Sequence, residues 1–467
     1  MADEHETEKT RQGDLTRREL LKRAGVGAAA IGVSGAAGVE KAFGFAGPHK
    51  YTGRFLKNDL KIMQWVHFVP DYDKWLDNTY IVQWGQKNDT QVTIDHVNNT
   101  ELPARAAAEI AAQSGHDLFQ FLSPPSAYQN STIPLNDVVQ EVTKKLGKMS
   151  GVAYRSTYNP RTKRYFGFPD NYVPDPVVWR HDLWNDIGES PATWDHVLKA
   201  APKLRANGHP IGIGMSNELD SNMANFAIML CFGAMIQDAH GNVRINSKNT
   251  VNFLNFMRSL YRNGMSNEVF GWNPASNNQF LYAGKGSMIL NAISATRTPE
   301  DLKLPFAEDL WIWPIPRGPV QRIGLEHVMG VYVIWKFSKN KSLAKKFLVD
   351  QQLAYRSHFI QSKYYNFPGW TGAVKGGFKS IKKLTATDTH RPRGKYTILT
   401  RIAEKYTTNA GHPGFSNAAV GEIFDSFLIP QMVAQVAQDK MKASDAARAA
   451  DHEFKKIFKK WKDAKLL

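Results

Sequence analysis

The stretch Gln91-Val-Thr-Ile-Asp95, followed by Leu102-Pro-Ala-Arg-Ala-Ala-Ala-Glu-Ile-Ala-Ala-Gln-Ser-Gly115-His-Asp117-Leu-Phe-Gln-Phe121, reads as strand, helix, strand. The first segment alternates in polarity as a half-buried strand does. Thr100 is placed to cap a helix whose alanine-rich interior runs to Gln113, alanine being the residue that loses least on becoming helical. Gly115 is its stop, and the apolar run that follows Asp117 is a buried strand. Upstream, Leu60-Lys-Ile-Met-Gln-Trp65-Val is a strand and residues 71–84 a helix with Trp75, Ile81 and Trp84 as apolar positions. The order β-α-β-α-β belongs to a layered sheet flanked by helices.

The pattern recurs in the middle of the chain. Pro191-Ala-Thr193 opens a helix with Trp194, Val197, Leu198, Ala201 and Leu204 on one face, Gly208 closes it, and Ile211-Gly-Ile-Gly-Met215 is a strand. Ser247 caps a helix over residues 251–261, Ser287-Met-Ile-Leu-Asn291 is a short buried strand, and Gly330-Val-Tyr-Val-Ile-Trp335 is another, followed by a helix through Leu353. From Ser416 the tail is helical, broken by Pro430, and ends in a basic amphipathic segment over residues 446–461. The expected fold class is α/β, with two similar lobes.

Thr16-Arg17-Arg18-Glu19-Leu20-Leu21-Lys22 precedes a weakly apolar, Gly/Ala-rich run over residues 24–39. A polar head, adjacent arginines and an apolar stretch too short to span a membrane comfortably read as a twin-arginine export signal, with cleavage expected after Gly44 or Ala46. About 420 residues then remain, ample for two domains, and no other apolar run approaches a membrane span, so the mature chain is expected to be soluble. The formal charge of +16 survives processing, because residues 1–46 hold equal numbers of basic and acidic side chains. Such a balance suits an anionic partner, but export removes most nucleic-acid roles, and net charge speaks to encounter rates rather than to fold. Cys231 is the single cysteine, so no intramolecular disulfide forms; flanked by Leu230 and Phe232 it reads as a buried structural thiol. No cysteine stands at the signal boundary to take a lipid anchor.

Motifs for catalysis are missing. Ala283-Gly-Lys285-Gly-Ser287 lacks the earlier glycine of a phosphate loop and reads as a turn; no His-Glu-x-x-His or Gly-x-Ser-x-Gly occurs, and the histidines are scattered without metal-ligand spacing. Neither a metal nor a cofactor is expected. Aromatic and amide side chains gather instead in loops: Trp272-Asn-Pro with Asn277-Asn278-Gln279, Tyr364-Tyr-Asn366-Phe-Pro-Gly-Trp370, and Asp170-Asn171-Tyr172. Rings that accept C–H edges, beside amides and carboxylates that bond hydroxyls, are the means by which proteins hold polyols.

Over nearly all of its mature length the chain resembles the extracellular solute-binding proteins of bacterial ABC sugar importers, the family of maltose- and glycerol-3-phosphate-binding proteins. The resemblance rests on residues 102–117 quoted above, Phe166-Gly-Phe-Pro169, Pro191-Ala-Thr-Trp194-Asp and Phe232-Gly233…Asp238-Ala-His-Gly241-Asn-Val with Asn246-Ser. It continues through Phe280…Gly284-Lys-Gly-Ser-Met288, Pro314-Ile-Pro-Arg-Gly318-Pro and Ser338-Lys-Asn…Ala344-Lys-Lys-Phe-Leu. It implies a periplasmic binding protein fold: an N-terminal lobe of residues 51–169 plus 292–336, and a C-terminal lobe of residues 170–291 plus 337–467. Crossovers would fall near residues 167–172 and 290–292, with a third after residue 335, and the ligand would be enclosed between the lobes. Carried over by position, the ligand-binding residues are His67 and Asp71, Phe121 and Ser123, Asn171 and Tyr172, Ser216, Asn217 and Glu218, Trp272, Asn291 and Ser294, and Asn366 and Trp370. Asp117 is assigned to the framework rather than to the ligand.

The resemblance implies a periplasmic, monomeric protein that binds a sugar, oligosaccharide or related polyol, delivers it to ABC permease subunits, and passes the twin-arginine translocase during export. It implies no catalysis and no nucleic-acid partner. The export route leaves a second class open, an exported carbohydrate-active or cofactor-containing enzyme; a sensor-presenting role is compatible with the same fold. Whether the ligand is neutral, acidic or phosphorylated is left open.

Overall fold

The computed structural model describes residues 56–467; the twin-arginine signal expected over residues 1–46 lies outside the described residues. The strands are β1 (Asn58–Trp65), β2 (Thr90–Val97), β3 (Leu118–Phe121), β4 (Tyr158–Asn159), β5 (Arg164–Tyr165), β6 (Phe168–Pro174) and β7 (Val177–Arg180). They continue as β8 (Ile211–Gly212), β9 (Met288–Leu290), β10 (Leu310–Trp313), β11 (Gly324–Ile334), β12 (Phe367–Pro368) and β13 (Thr407–Thr408). One sheet has the order β12-β6-β11-β3-β1-β2, with β13 paired to β11; a second has the order β10-β7-β9-β8; β4 and β5 form a small hairpin. This is the α/β architecture the sequence implies.

In the first sheet β2, β1 and β3 run parallel, and β11 lies antiparallel to both β3 and β6. In the second, β8 and β9 are parallel and β7 is antiparallel to β9 and β10. All residues of β3, β6, β7, β9 and β11 are buried, which explains their near-continuous apolar runs: a strand covered on both faces has no side that must be polar.

The chain passes between the sheets at points that differ from the expected crossovers. β6 belongs to the first sheet and β7 to the second, so the first passage is Asp175-Pro176 rather than residues 167–172. After β9 the chain does not return at residues 290–292. It forms the helix Ser294–Asp301 and then β10, an edge strand of the second sheet, and reaches the first sheet only at β11. The proline-rich stretch 314–319 therefore makes the second passage. Residues 292–313 go with the second sheet, and β12 goes with the first, which departs from the expected lobe boundaries at both places.

Local signals explain most helix ends. The Thr193 side chain accepts from the His196 N–H at 3.1 Å and that of Ser247 from the Thr250 N–H at 3.1 Å, each satisfying an amide that the first helical turn leaves free. Thr100 does not cap the helix Leu102–Ala112: it lies in the short turn Asn99–Glu101 that leads into it, and Asn98 caps that turn by accepting from the Thr100 N–H at 3.2 Å. The helix expected over residues 71–84 begins at Pro70 and contains a wider turn over Leu76–Tyr80. In the tail the break falls at Ser426–Phe427, and Pro430 sits in the first turn of the helix Leu428–Ala437, where its missing N–H has no intrahelical partner to lose.

Asp117 ties three elements together. Its own N–H donates to the Lys61 carbonyl at 2.8 Å, while its carboxylate accepts from the Lys61 N–H at 3.1 Å, the Ser338 hydroxyl at 2.7 Å and the Asn340 amide at 3.2 Å. This fixes β1, the start of β3 and the turn after β11, as a framework residue should. Gly115, at φ +150°, allows the adjacent Glu109 carboxylate to come in: a Cβ there would stand 2.4 Å from it. Glu109 in turn accepts from the His116 N–H at 3.1 Å and the Trp335 indole at 3.0 Å. Asp117→Ala removes one charged acceptor and strands its donors, so a loss of about 3 kcal/mol is expected in urea unfolding.

Candidate functional site

Parallel strands deliver their following loops to one edge, and in open α/β sheets ligands bind in the crevice outside those carboxyl ends. Here β2 and β3 of the first sheet and β8 of the second lead into the same cleft, of about 450 Å³. One wall is Asn99, Thr100, Leu102 and Pro103 after β2, with Phe121, Leu122 and Ser123 at the end of β3. The facing wall is Asn217, Glu218 and Leu219, which follow β8, with Trp272, Asn273 and Pro274; Phe424, Asp425 and Phe427 close one side. Five of the residues carried over from the resemblance, Phe121, Ser123, Asn217, Glu218 and Trp272, thus line one space.

Glu218 is held by the start of the helix Leu219–Cys231. Its carboxylate accepts from the Asp220 N–H at 2.7 Å and the Ser221 N–H at 2.5 Å, and from the Ser221 hydroxyl. Burial and the neighbouring Asp220 carboxylate together hold its pKa well above the ordinary carboxylate range. Trp272 packs on Phe280 with 5.3 Å between ring centroids, and its carbonyl accepts from the Ser216 hydroxyl at 2.7 Å. Ser216 therefore anchors the backbone at Trp272.

Two residues beyond Glu218, Asp220 joins a buried polar group near the passage between the sheets. Asp220 accepts through Oδ2 from Asn277 at 2.9 Å and from Asn291 at 3.2 Å, and the Asn291 amide also reaches the Asn277 and Asn278 oxygens at 3.0 and 2.8 Å. His327 stands between two carboxylates, with Nδ1 3.3 Å from Asp175 and Nε2 3.6 Å from Asp220. Burial opposes a charge on this ring, but the two carboxylates outweigh it and raise its pKa. Ser294 is buried nearby in sequence, at the head of the helix Ser294–Asp301.

A second buried group joins the loop after β1 to that before β12. His67 accepts through Nδ1 from the Val69 N–H at 2.9 Å, which puts the ring proton on Nε2, facing the Asn366 oxygen at 3.2 Å. Burial lowers the His67 pKa to about 4, so the ring is neutral. Asn171 donates to Asp170 at 2.7 Å. Gln120 and Gln352 also donate to Asp170, at 3.2 and 3.3 Å, yet burial prevails and pushes its pKa up to about 7.

The remaining candidates lie elsewhere. Asp71 is exposed and pairs with Lys363 at 3.1 Å. Tyr172 packs on Phe367. Trp370 is fully buried, stacked on Phe168, and its indole donates to Thr143 at 3.0 Å. The sequence reading missed Asp175, Asp220 and His327; the one signal available was a Glu326-His327 pair inside the otherwise apolar run of β11. Cys231 is fully buried, with burial pushing its thiol up to about 11, and the segment 283–287 is a turn. Among the described residues no group of three or more His, Cys, Asp and Glu side chains is placed to hold a metal ion.

Two α/β sheets whose carboxyl ends face a shared cleft define a ligand-enclosing protein of the periplasmic binding class. The chain belongs to the bacterial extracellular solute-binding protein family, whose sequence profile matches residues 73–349, more than half of the chain. It is similar to the maltose-bound MalE3 of T. maritima, at 19% identity and TM-score 0.71 over 85% of this chain and 99% of that one. A sugar transporter of Arthrobacter chlorophenolicus with bound laminaribiose gives 17% identity and TM-score 0.70, over 85% and 99% of the two chains. An ABC transporter solute-binding protein of Agrobacterium radiobacter in complex with ribitol gives 16% and 0.70, over 87% and 100%. Comparison with curated proteins finds no match.

Because the folded pKa of Asp170 is about 7 and an unfolded aspartate titrates near 3.9, the folded state holds the extra proton across that window. Stability from this group is full below the unfolded value and is lost as pH rises toward 7, by at most about 1.4 kcal/mol per pH unit. Asp170→Asn is expected to flatten that part of the stability profile, measured by urea unfolding between pH 4 and pH 8.

Proposed function

We propose that this protein is the solute-capturing component of an ABC importer, binding a sugar, oligosaccharide or related polyol in the cleft between the two sheets. The observation that carries the reading is the composition of that cleft: the aromatic side chains Phe121 and Trp272 line it together with Ser123, Asn217 and Glu218. Sugar rings offer C–H faces to aromatic rings and hydroxyls to amides and carboxylates. The maltose, laminaribiose and ribitol held by the three similar structures support the same ligand class. In this reading the two halves rotate about the passages at residues 175–176 and 314–319 to enclose the ligand. The closed form then docks on a permease outside the cytoplasmic membrane, and no bond in the ligand is broken. The Arg17-Arg18 segment supports delivery to that compartment in a folded state. Among the described residues no helix is long and apolar enough to cross a membrane.

Thermal unfolding with a panel of neutral mono- and disaccharides and polyols tests this. A true ligand at one hundred times its dissociation constant adds about 2.7 kcal/mol of stability. Trp272→Ala is expected to weaken that ligand about tenfold or more, about 1.4 kcal/mol, in calorimetric titration. A panel in which no member moves the midpoint removes the sugar reading.

A further inference from the structure

A second groove continues from the cleft along one helix. Asn217, in the wall that follows β8, lines both the cleft and a neighbouring groove of about 470 Å³. The helix Leu428–Ala437 connects the two spaces again: Phe427 at its head lines the cleft, while Gln431, Gln435 and Gln438 line the groove. Successive spacings of four, four and three residues put these four side chains on one face of the helix. Ile429, Met432, Val433 and Val436, on the opposite face, are buried in the core.

The chemistry of the groove suits hydroxyl groups. Asn217 and Gln435 are exposed and Gln438 is half-buried, and the side chains of all three have no hydrogen-bond partner among the described residues. Gln431 donates to the Ser426 carbonyl at 3.0 Å, which leaves its amide oxygen to accept from a ligand. A carboxamide both donates and accepts, as a sugar hydroxyl does. Half-buried Phe270 supplies an aromatic side chain for C–H groups, and Lys440, just beyond the helix, adds an ammonium donor. The cleft combines the same two kinds of group in Trp272 and Asn217. Each space is within the range of about 300–1,000 Å³ usual for small-ligand sites, so a molecule that occupies both at once is a chain of sugar units rather than a single one. Resting on the reading of the cleft as a sugar site, we propose that the groove is an outer subsite, continuous with the cleft past Asn217. It takes the further units of an oligosaccharide whose first units lie between the two sheets.

Calorimetric titration of the wild-type protein tests this with two chain-length series, maltose to maltotetraose and laminaribiose to laminaritetraose, and with ribitol, which is too short to reach beyond the cleft. In a series that binds, the trisaccharide or tetrasaccharide is expected to bind about tenfold more tightly than the disaccharide. The double variant Gln435→Ala, Gln438→Ala should bring the longer chains back to the affinity of the disaccharide; thermal unfolding of the free variant checks that it is folded. Longer chains that bind no more tightly than the disaccharide overturn the outer subsite and leave the sugar reading intact. A gain with length that persists in the folded double variant overturns the role given to the groove. Binding of ribitol with neither series overturns the subsite and keeps the polyol reading, whereas a failure of every probe overturns both.

Discussion

β11 is the constraint on which the first sheet and the passage between sheets depend. All eleven of its residues are buried, and it pairs with β3 on one side and β6 on the other, while its first two residues also pair with β13. A strand so enclosed must be apolar along its length, and Val328 to Ile334 obey. Its pairing with β3 covers only Val331 to Ile334, so the earlier half projects past the end of β3 toward the passage at residues 175–176. That projection carries Glu326 and His327 into the interior, and it is why a histidine ends up between Asp175 and Asp220. At Gly330 the absence of a side chain has a definite use, since a Cβ would stand 2.5 Å from the Asn171 amide. Asn171 can then turn toward Asp170 within the sheet.

What could be read from the sequence follows from the range of the interactions involved. Caps at Thr193 and Ser247, the alanine-rich helix ending before Gly115 and the buried strands are local effects of backbone hydrogen bonding and periodicity, and each has its counterpart in the structure. The passages between sheets are not local. β10 is four residues long, with Leu310 and Ile312 inward and Trp311 and Trp313 toward the outside, and nothing within those four residues tells which sheet they join. That membership depends on pairing with β7, more than a hundred residues earlier. Trp370 shows the same limit for a side chain: a loop tryptophan beside Gly369 reads as a ligand platform until Phe168 and Thr143, distant in sequence, are seen to occupy it.

The candidate site divides along the same line. Phe121, Ser123, Asn217, Glu218 and Trp272 are reached through the resemblance to the solute-binding family, position by position, and the structure brings these five to one cleft. Asp175, Asp220 and His327 lie inside or beside apolar elements, where a polar residue is ordinarily a satisfied structural one. What sets them apart is that Asp175 and Asp220 meet on either side of His327, which is a property of three dimensions. Asp220 stands two residues beyond Glu218, so one helix start supplies a carboxylate to the cleft and another to the buried group around His327.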